Sequence, residues 1–387
     1  MAVRRRSRAG GGALDPDELL ADAGAAVGAV ARTRFRPAFE RLVESLNSEA
    51  GLSERGVAAA RRRLLAALEQ QELIGRLGRR HPEIRGMDVV APVFVTGLPG
   101  SGAALLQNLL VEHPGLDGPA LWELSSPAAQ LSHPGRRRSF IDRTRLRAED
   151  ARRPVAGRGV GQLTGATRPG GCHRLLENAF QSPMLSVPWR VPGYAAWLET
   201  RDLMDAYDFH REQLRAVTWR IPGSTLVLRD PFHSRHLHAL VRSYPDARVV
   251  RLHRGPADVV SASAGISAAR RAQVSAAVNP VEVGREWVSR VERHFAASEA
   301  ARAAVPGERV LDVRFEELVA EPVRVVRRVL RFAGVTPIAS VDRHVAELAG
   351  RVGNGLRRAR PFQPGEFGLS RRQLDARFAV YRAMYGV

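Results

Sequence analysis

Val89-Val90-Ala91-Pro92-Val93-Phe94-Val95-Thr96-Gly97-Leu98-Pro99-Gly100-Ser101-Gly102-Ala103-Ala104-Leu105 changes character twice within seventeen residues. Residues 89–95 have the apolar, β-branched composition of a strand buried on both faces. A glycine-rich turn follows, and then a helix over residues 105–111 with Leu106, Leu109 and Leu110 at packing positions. Glycines let the backbone turn sharply with its N–H groups pointing inward, and the start of the helix adds partial positive charge. Gly97, Pro99, Gly100, Ser101, Gly102, Ala103 and Ala104 therefore read as an anion cradle. The alternative is a glycine turn that only lets strand and helix pack.

The Gly97-x-x-x-x-Gly102 spacing is that of a Walker A loop, but Ala103 and Ala104 stand where its lysine and hydroxyl residue belong. Nucleotide triphosphate hydrolysis loses its charge-neutralising groups without them, so the loop suits a phosphate that is held rather than cleaved. Outward from the loop, strand-like segments at 225–228, 248–252 and 309–313 alternate with helical ones. One helix opens at Asp230-Pro231, with Asp as cap and Pro in the first turn, and another covers 315–332 with a break near Pro322. Short connections between alternating elements predict a P-loop-type α/β fold: a parallel sheet flanked by helices, with an N-terminal helical extension. Residues 1–13 read as a flexible basic arm and 14–387 as a single domain. Within that domain, 14–85 form a helical leader, helical throughout from 16 to 80 and closed by His81-Pro82. Residues 132–171, rich in Arg, Gly and Pro with weak periodicity, read as a lid or acceptor loop.

The 387 residues, 44% of them hydrophobic, suffice for a large α/β core. Cys172 is the single cysteine, so no intrachain disulfide forms, which fits a reducing cytoplasm. No transmembrane segment is expected: the run at 89–95 is too short and is interrupted around Asp88 and Pro92. Arg4, Arg5, Arg6 and Arg8 lead into glycines and acidic residues rather than the apolar core of a secretory signal. The net charge is +19, and every one of the 59 basic residues is arginine. The arginines are scattered among Asp and Glu, and aromatics make up only 6%, so a nucleic-acid surface is not expected. A small polyanionic ligand accounts for the local basic residues.

A second anion-binding pattern is Arg248-Val249-Val250-Arg251-Leu252-His253-Arg254-Gly255-Pro256, in which an arginine ends a strand just before a helix. A guanidinium placed there can pair fork-like with a phosphate. Taken with Arg79-Arg80-His81-Pro82, Leu121-Trp122-Glu123-Leu124, Leu226-Val227-Leu228-Arg229-Asp230-Pro231, Tyr244-Pro245-Asp246-Ala247-Arg248, Val313-Arg314-Phe315-Glu316-Glu317-Leu318 and Glu366-Phe367-Gly368-Leu369, this order of motifs resembles the sulfotransferase superfamily, in the bacterial branch similar to tyrosylprotein sulfotransferases.

The resemblance implies 3′-phosphoadenosine-5′-phosphosulfate (PAPS) as donor, 3′,5′-ADP as product and no metal. It implies a 5′-phosphosulfate loop at Gly97 through Ala104 and a 3′-phosphate site at Arg254 with a serine on the next helix, taken as Ser261. The acceptor would be a hydroxyl of a small molecule, lipid or glycan, and an oligomer is possible. Arg229 stands where the family has a cationic residue, usually lysine, beside the leaving group. Glu123 is the first choice for general base and His233 a secondary one. His233, His236 and His238 do not make a metal motif, since only the first two would share a helix face, and Cys172-His173 shows no third partner in sequence. Two features depart from the family: Gly100, Ala103 and Ala104 replace an arginine and two threonines of the loop, and Ala262, between Ser261 and Ser263, replaces the usual serine. These departures leave a second reading open, a catalytically degenerate member that binds a nucleotide or partner. A P-loop kinase is the third, disfavoured by the missing lysine.

Overall fold

The computed structural model describes residues 13–23, 34–128, 165–219, 223–358 and 360–387. All of the basic arm but Ala13, and most of the lid or acceptor loop, lie outside the described residues. Five strands, β1 (Val93–Thr96), β2 (Leu116–Asp117), β3 (Thr225–Arg229), β4 (Arg248–His253) and β5 (Val310–Arg314), form one sheet in the order β2-β3-β1-β4-β5, with every pair parallel. Helices cover both faces, as expected for an α/β fold.

The period of two along the strands divides the core. Phe94, Leu228 and Val249 face a cluster shared with the N-terminal helices, while Val93, Val95, Val227 and Val250 face a second cluster under the helices Ala103–Leu110, Pro322–Phe332 and Ala339–Arg358. Because both faces are covered, the strands are apolar almost throughout rather than alternating.

The leader is less continuous than its periodicity suggested. It contains helices Pro16–Asp22, Arg36–Ser48 and Glu54–Arg80, and the last two are separated by a turn in which Gly51 has φ +55°. Ser53 caps the long helix by accepting from the Gly56 amide at 3.1 Å. That same end docks onto the end of helix Pro256–Arg271, with Ser53 N–H on the Val274 carbonyl and Ala276 N–H on that of Gly51, both at 2.9 Å. The leader is thus tied to the sheet's covering helices.

Two local expectations need correction. β1 begins at Val93 rather than Val89, because Ala91 takes a left-handed φ of 42° and Val90 is 65% exposed. No helix opens at Asp230: its carboxylate instead accepts from the Phe232 amide at 2.6 Å, closing a turn, and the helix Leu237–Ser243 follows a 3₁₀ segment at His233–His236. The break at Pro322 stands as expected, between helices Phe315–Ala320 and Pro322–Phe332. Among the described residues no helix is long and apolar enough to cross a membrane.

Candidate functional site

β1 lies between β3 and β4, in register Val95 to Arg229 on one side and Thr96 to Arg251 on the other. The carboxyl ends of these three strands therefore bring together the glycine loop, Arg229 and, three residues past Arg251, Arg254. Parallel α/β sheets bind ligands at this edge, where the strand order reverses.

The loop depends on glycine at two positions. Gly100 and Gly102 both have φ of +93°, which L-residues avoid. A Cβ on Gly100 would lie 2.6 Å from the Cβ of Ala262, and one on Gly102 would lie 2.7 Å from the Phe315 ring. The turn is closed by Ser101 N–H to the Leu98 carbonyl at 3.0 Å, and Gly102 opens the helix Ala103–Leu110. The first-turn amides of that helix have no partner within it. The loop is backed by Phe315 and by the helix Pro256–Arg271.

Arg254 sits against this loop. Its Nη1 donates to the Gly100 carbonyl at 2.6 Å, its guanidinium lies 4.1 Å from the centroid of Phe315, and its Nε is 3.6 Å from the Asp258 carboxylate. Burial lowers its pKa, with Asp258 opposing the shift. Of the two serines flanking Ala262, Ser261 donates to the Ala257 carbonyl of its own helix at 2.7 Å, while Ser263 reaches the Pro99 carbonyl at 3.4 Å. Ser263 is thus the serine that meets the loop. The sequence offered no basis for choosing it, because the choice depends on how the helix is rotated.

Arg229, at the end of β3, donates through Nε to Gln107 Oε1 at 3.0 Å. Gln107 is fully buried on the helix that follows the loop, and its Nε2 donates to the carbonyls of Val227 and Gly170 at 3.0 and 3.1 Å. Sequence reasoning missed Gln107, although a signal was present: two amides interrupting the leucines of Leu105-Leu106-Gln107-Asn108-Leu109-Leu110. Asp230, next to Arg229, has one carboxylate oxygen buried without a partner, and burial pushes its pKa up to about 7 against the opposing effects of the Phe232 amide and Arg229.

Glu123 lies on the short helix Leu121–Ser125 and accepts from the Ala120 amide at 2.8 Å. The described end of the expected acceptor loop runs alongside. Leu121 and Trp122 donate to the carbonyls of Arg168 and Ala166, Gly170 donates to Pro119, and Cys172 donates to Arg229 at 2.8 Å. One strip of backbone, residues 166–172, therefore links the helix of Glu123 to Gln107 and to the strand end of Arg229.

His233 is not exposed to this edge. It is fully buried, with Nδ1 2.7 Å from the Tyr207 hydroxyl and Nε2 3.1 Å from Cys172 Sγ, and burial lowers its pKa well below the usual range. His236 is also buried, whereas His238 is exposed. His253 shares Asp312 with Arg251: its Nε2 is 2.7 Å and Arg251 Nε 2.8 Å from the same carboxylate oxygen.

A family described as "Sulfotransferase family" matches residues 92–338, from just before β1 to beyond β5. Sulfotransferase STF1 from Mycobacterium tuberculosis H37Rv superposes with a TM-score of 0.80 at 25% identity, covering 95% of this chain and 99% of that one. Sulfotransferase STF9 from Mycobacterium avium shares the fold, with a TM-score of 0.77 at 20% identity over 96% of both chains. No curated protein sequence matches.

Proposed function

Because this chain belongs to the sulfotransferase family, we propose that it transfers a sulfuryl group from PAPS to a hydroxyl of a small-molecule, lipid or glycan acceptor. The observation that supports this reading is the contact between the two elements expected to hold anions, on neighbouring strands: Arg254 after β4 donates to the Gly100 carbonyl of the loop after β1. A nucleotide with phosphates at both the 5′ and 3′ positions matches two such elements, whereas ATP needs only one. The residues fit that ligand: a largely buried guanidinium stacked on Phe315, and Ser101 Oγ buried beside the loop without a protein partner.

When bound, PAPS supplies the sulfuryl group and leaves as 3′,5′-ADP. The loop amides at Gly102, Ala103 and Ala104 hold the 5′ end, and Arg254 with Ser263 holds the 3′-phosphate. Arg229, fixed by Gln107, keeps a positive charge where negative charge grows on the leaving oxygen. An arginine does not give up its proton readily, so its contribution is electrostatic. Glu123 takes the proton of the attacking hydroxyl. His233, with both ring nitrogens engaged, has no step in this scheme.

Thermal unfolding with 3′,5′-ADP, ADP and ATP with Mg²⁺ tests the donor. Selective stabilisation by 3′,5′-ADP, about 2.7 kcal/mol at a hundred times its Kd, is expected. Stabilisation by ATP with Mg²⁺ alone would instead indicate kinase chemistry. A second reading, a catalytically degenerate member, is favoured by one observation: glycine at 100 and alanine at 262 pack together, and neither offers a polar side chain to the ligand. Transfer of labelled sulfate to a panel of hydroxyl acceptors separates the two, since a degenerate member binds 3′,5′-ADP and transfers nothing.

A further inference from the structure

Cys172, His210 and His233 come from three separate elements: the start of helix His173–Glu177, the middle of helix Met204–Thr218 and the 3₁₀ turn after β3. All three are completely buried, and one donor atom from each lies within 4.8 Å of the other two. Cys172 Sγ is 3.1 Å from His233 Nε2. His210 Nε2 is buried with no protein partner. A buried polar atom left without a partner costs roughly 1–3 kcal/mol, so native structures rarely keep one without a reason.

The outer nitrogens are also occupied in a consistent way. His233 Nδ1 meets the Tyr207 hydroxyl and His210 Nδ1 the Tyr244 hydroxyl, each at 2.7 Å. When each ring donates its Nδ1–H to the phenol oxygen, its Nε2 lone pair is left for a ligand, and that of His233 lies beside Cys172 Sγ. Metal-binding histidines are oriented by such outer partners.

We propose that Cys172 Sγ, His210 Nε2 and His233 Nε2 bind one Zn²⁺ ion that holds the underside of the candidate site together. One thiolate and two imidazoles suit zinc, with ligand distances of about 2.3 Å to sulfur and 2.0–2.1 Å to nitrogen. Tetrahedral geometry at those lengths sets the donors about 3.3–3.6 Å apart, so Cys172 Sγ and His233 Nε2 open slightly from 3.1 Å while His210 draws in. The entering cation displaces the Cys172 thiol proton, which leaves to solvent. The remaining positive charge would be met by Asp230, whose second carboxylate oxygen is buried without a partner and which would release its own proton to solvent as the cation enters. The ion would lock Cys172, whose amide donates to the Arg229 carbonyl, and would fix the strand end that carries Arg229. This role is structural, separate from the transfer chemistry, and does not depend on the donor's identity.

The test uses the full chain expressed in zinc-supplemented medium without a histidine tag, with metal measured after gel filtration and again after refolding with Co²⁺. One zinc per chain is expected, together with a thiolate-to-cobalt charge-transfer band in the cobalt form. Cys172→Ala should lower the metal content at least tenfold and abolish the band, while His238→Gln, at an exposed histidine, should keep both. Wild-type protein holding no more zinc than Cys172→Ala overturns the proposal. If Cys172→Ala fails to fold, a wild-type cobalt spectrum without the thiolate band overturns it as well.

Discussion

Replacing Gly100 by alanine tests the loop where its geometry is most constrained. Two costs are expected. At φ +93° a Cβ is strained, by about 1–3 kcal/mol. The new Cβ would also lie 2.6 Å from that of Ala262, closer than real Cβ atoms approach, and such overpacking costs about 1–3 kcal/mol. Gly100→Ala should therefore destabilise the protein by about 2–6 kcal/mol and weaken 3′,5′-ADP binding, because the loop must move off the helix Pro256–Arg271. The two costs separate in a double-mutant cycle. Ala262→Gly alone costs about 1 kcal/mol as a glycine within a helix, but combined with Gly100→Ala it removes the steric contact and leaves only the backbone strain. A favourable coupling of about 1–3 kcal/mol is expected from urea denaturation of the four proteins. Additivity within about 0.5 kcal/mol would refute the close packing of loop on helix.

Arg254→Ala should weaken 3′,5′-ADP by about 10- to 150-fold, the loss of a charge-assisted hydrogen bond of about 1.5–3 kcal/mol. Arg254→Lys should recover only part of that loss, because a lysine cannot span the Gly100 carbonyl and a phosphate with one planar fork. Calorimetric titration reads both, and an unchanged Kd in Arg254→Ala removes the residue from the site. Gln107→Leu, which frees Arg229 Nε, should lower kcat by at least tenfold with little change in donor Kd; equal losses in both would make Gln107 a folding residue only. Asp230 binds its proton more tightly in the folded chain, at about 7, than in the unfolded one. Its contribution is thus complete below about pH 4 and lost as pH rises through 7. In metal-stripped protein, Asp230→Asn should gain stability over wild type between pH 4 and 8, by up to about 4 kcal/mol. A difference that does not change with pH would show that Asp230 is not held protonated.

Much of this architecture could be read locally. A strand, a glycine turn and an apolar helix at residues 93–110 are set by neighbours a few positions apart, and so is the placement of Arg254 between a strand and a proline-started helix. The boundaries that failed, at Val89 and Asp230, failed for local reasons as well: a left-handed Ala91 and an aspartate that closes a turn in place of capping a helix. Other features depended on chain segments far apart in sequence.

Sequence alone established the α/β class, the glycine turn between β1 and its helix, and the arginines at the ends of β3 and β4, because apolar periodicity and glycine or proline chemistry act within a turn or a strand. Tertiary structure alone decided that Ser263 rather than Ser261 meets the loop, that Gln107 holds Arg229, and that Cys172 lies beside His233 and near His210. Those outcomes depend on helix rotation and strand register, which are fixed only when distant segments bury their faces together.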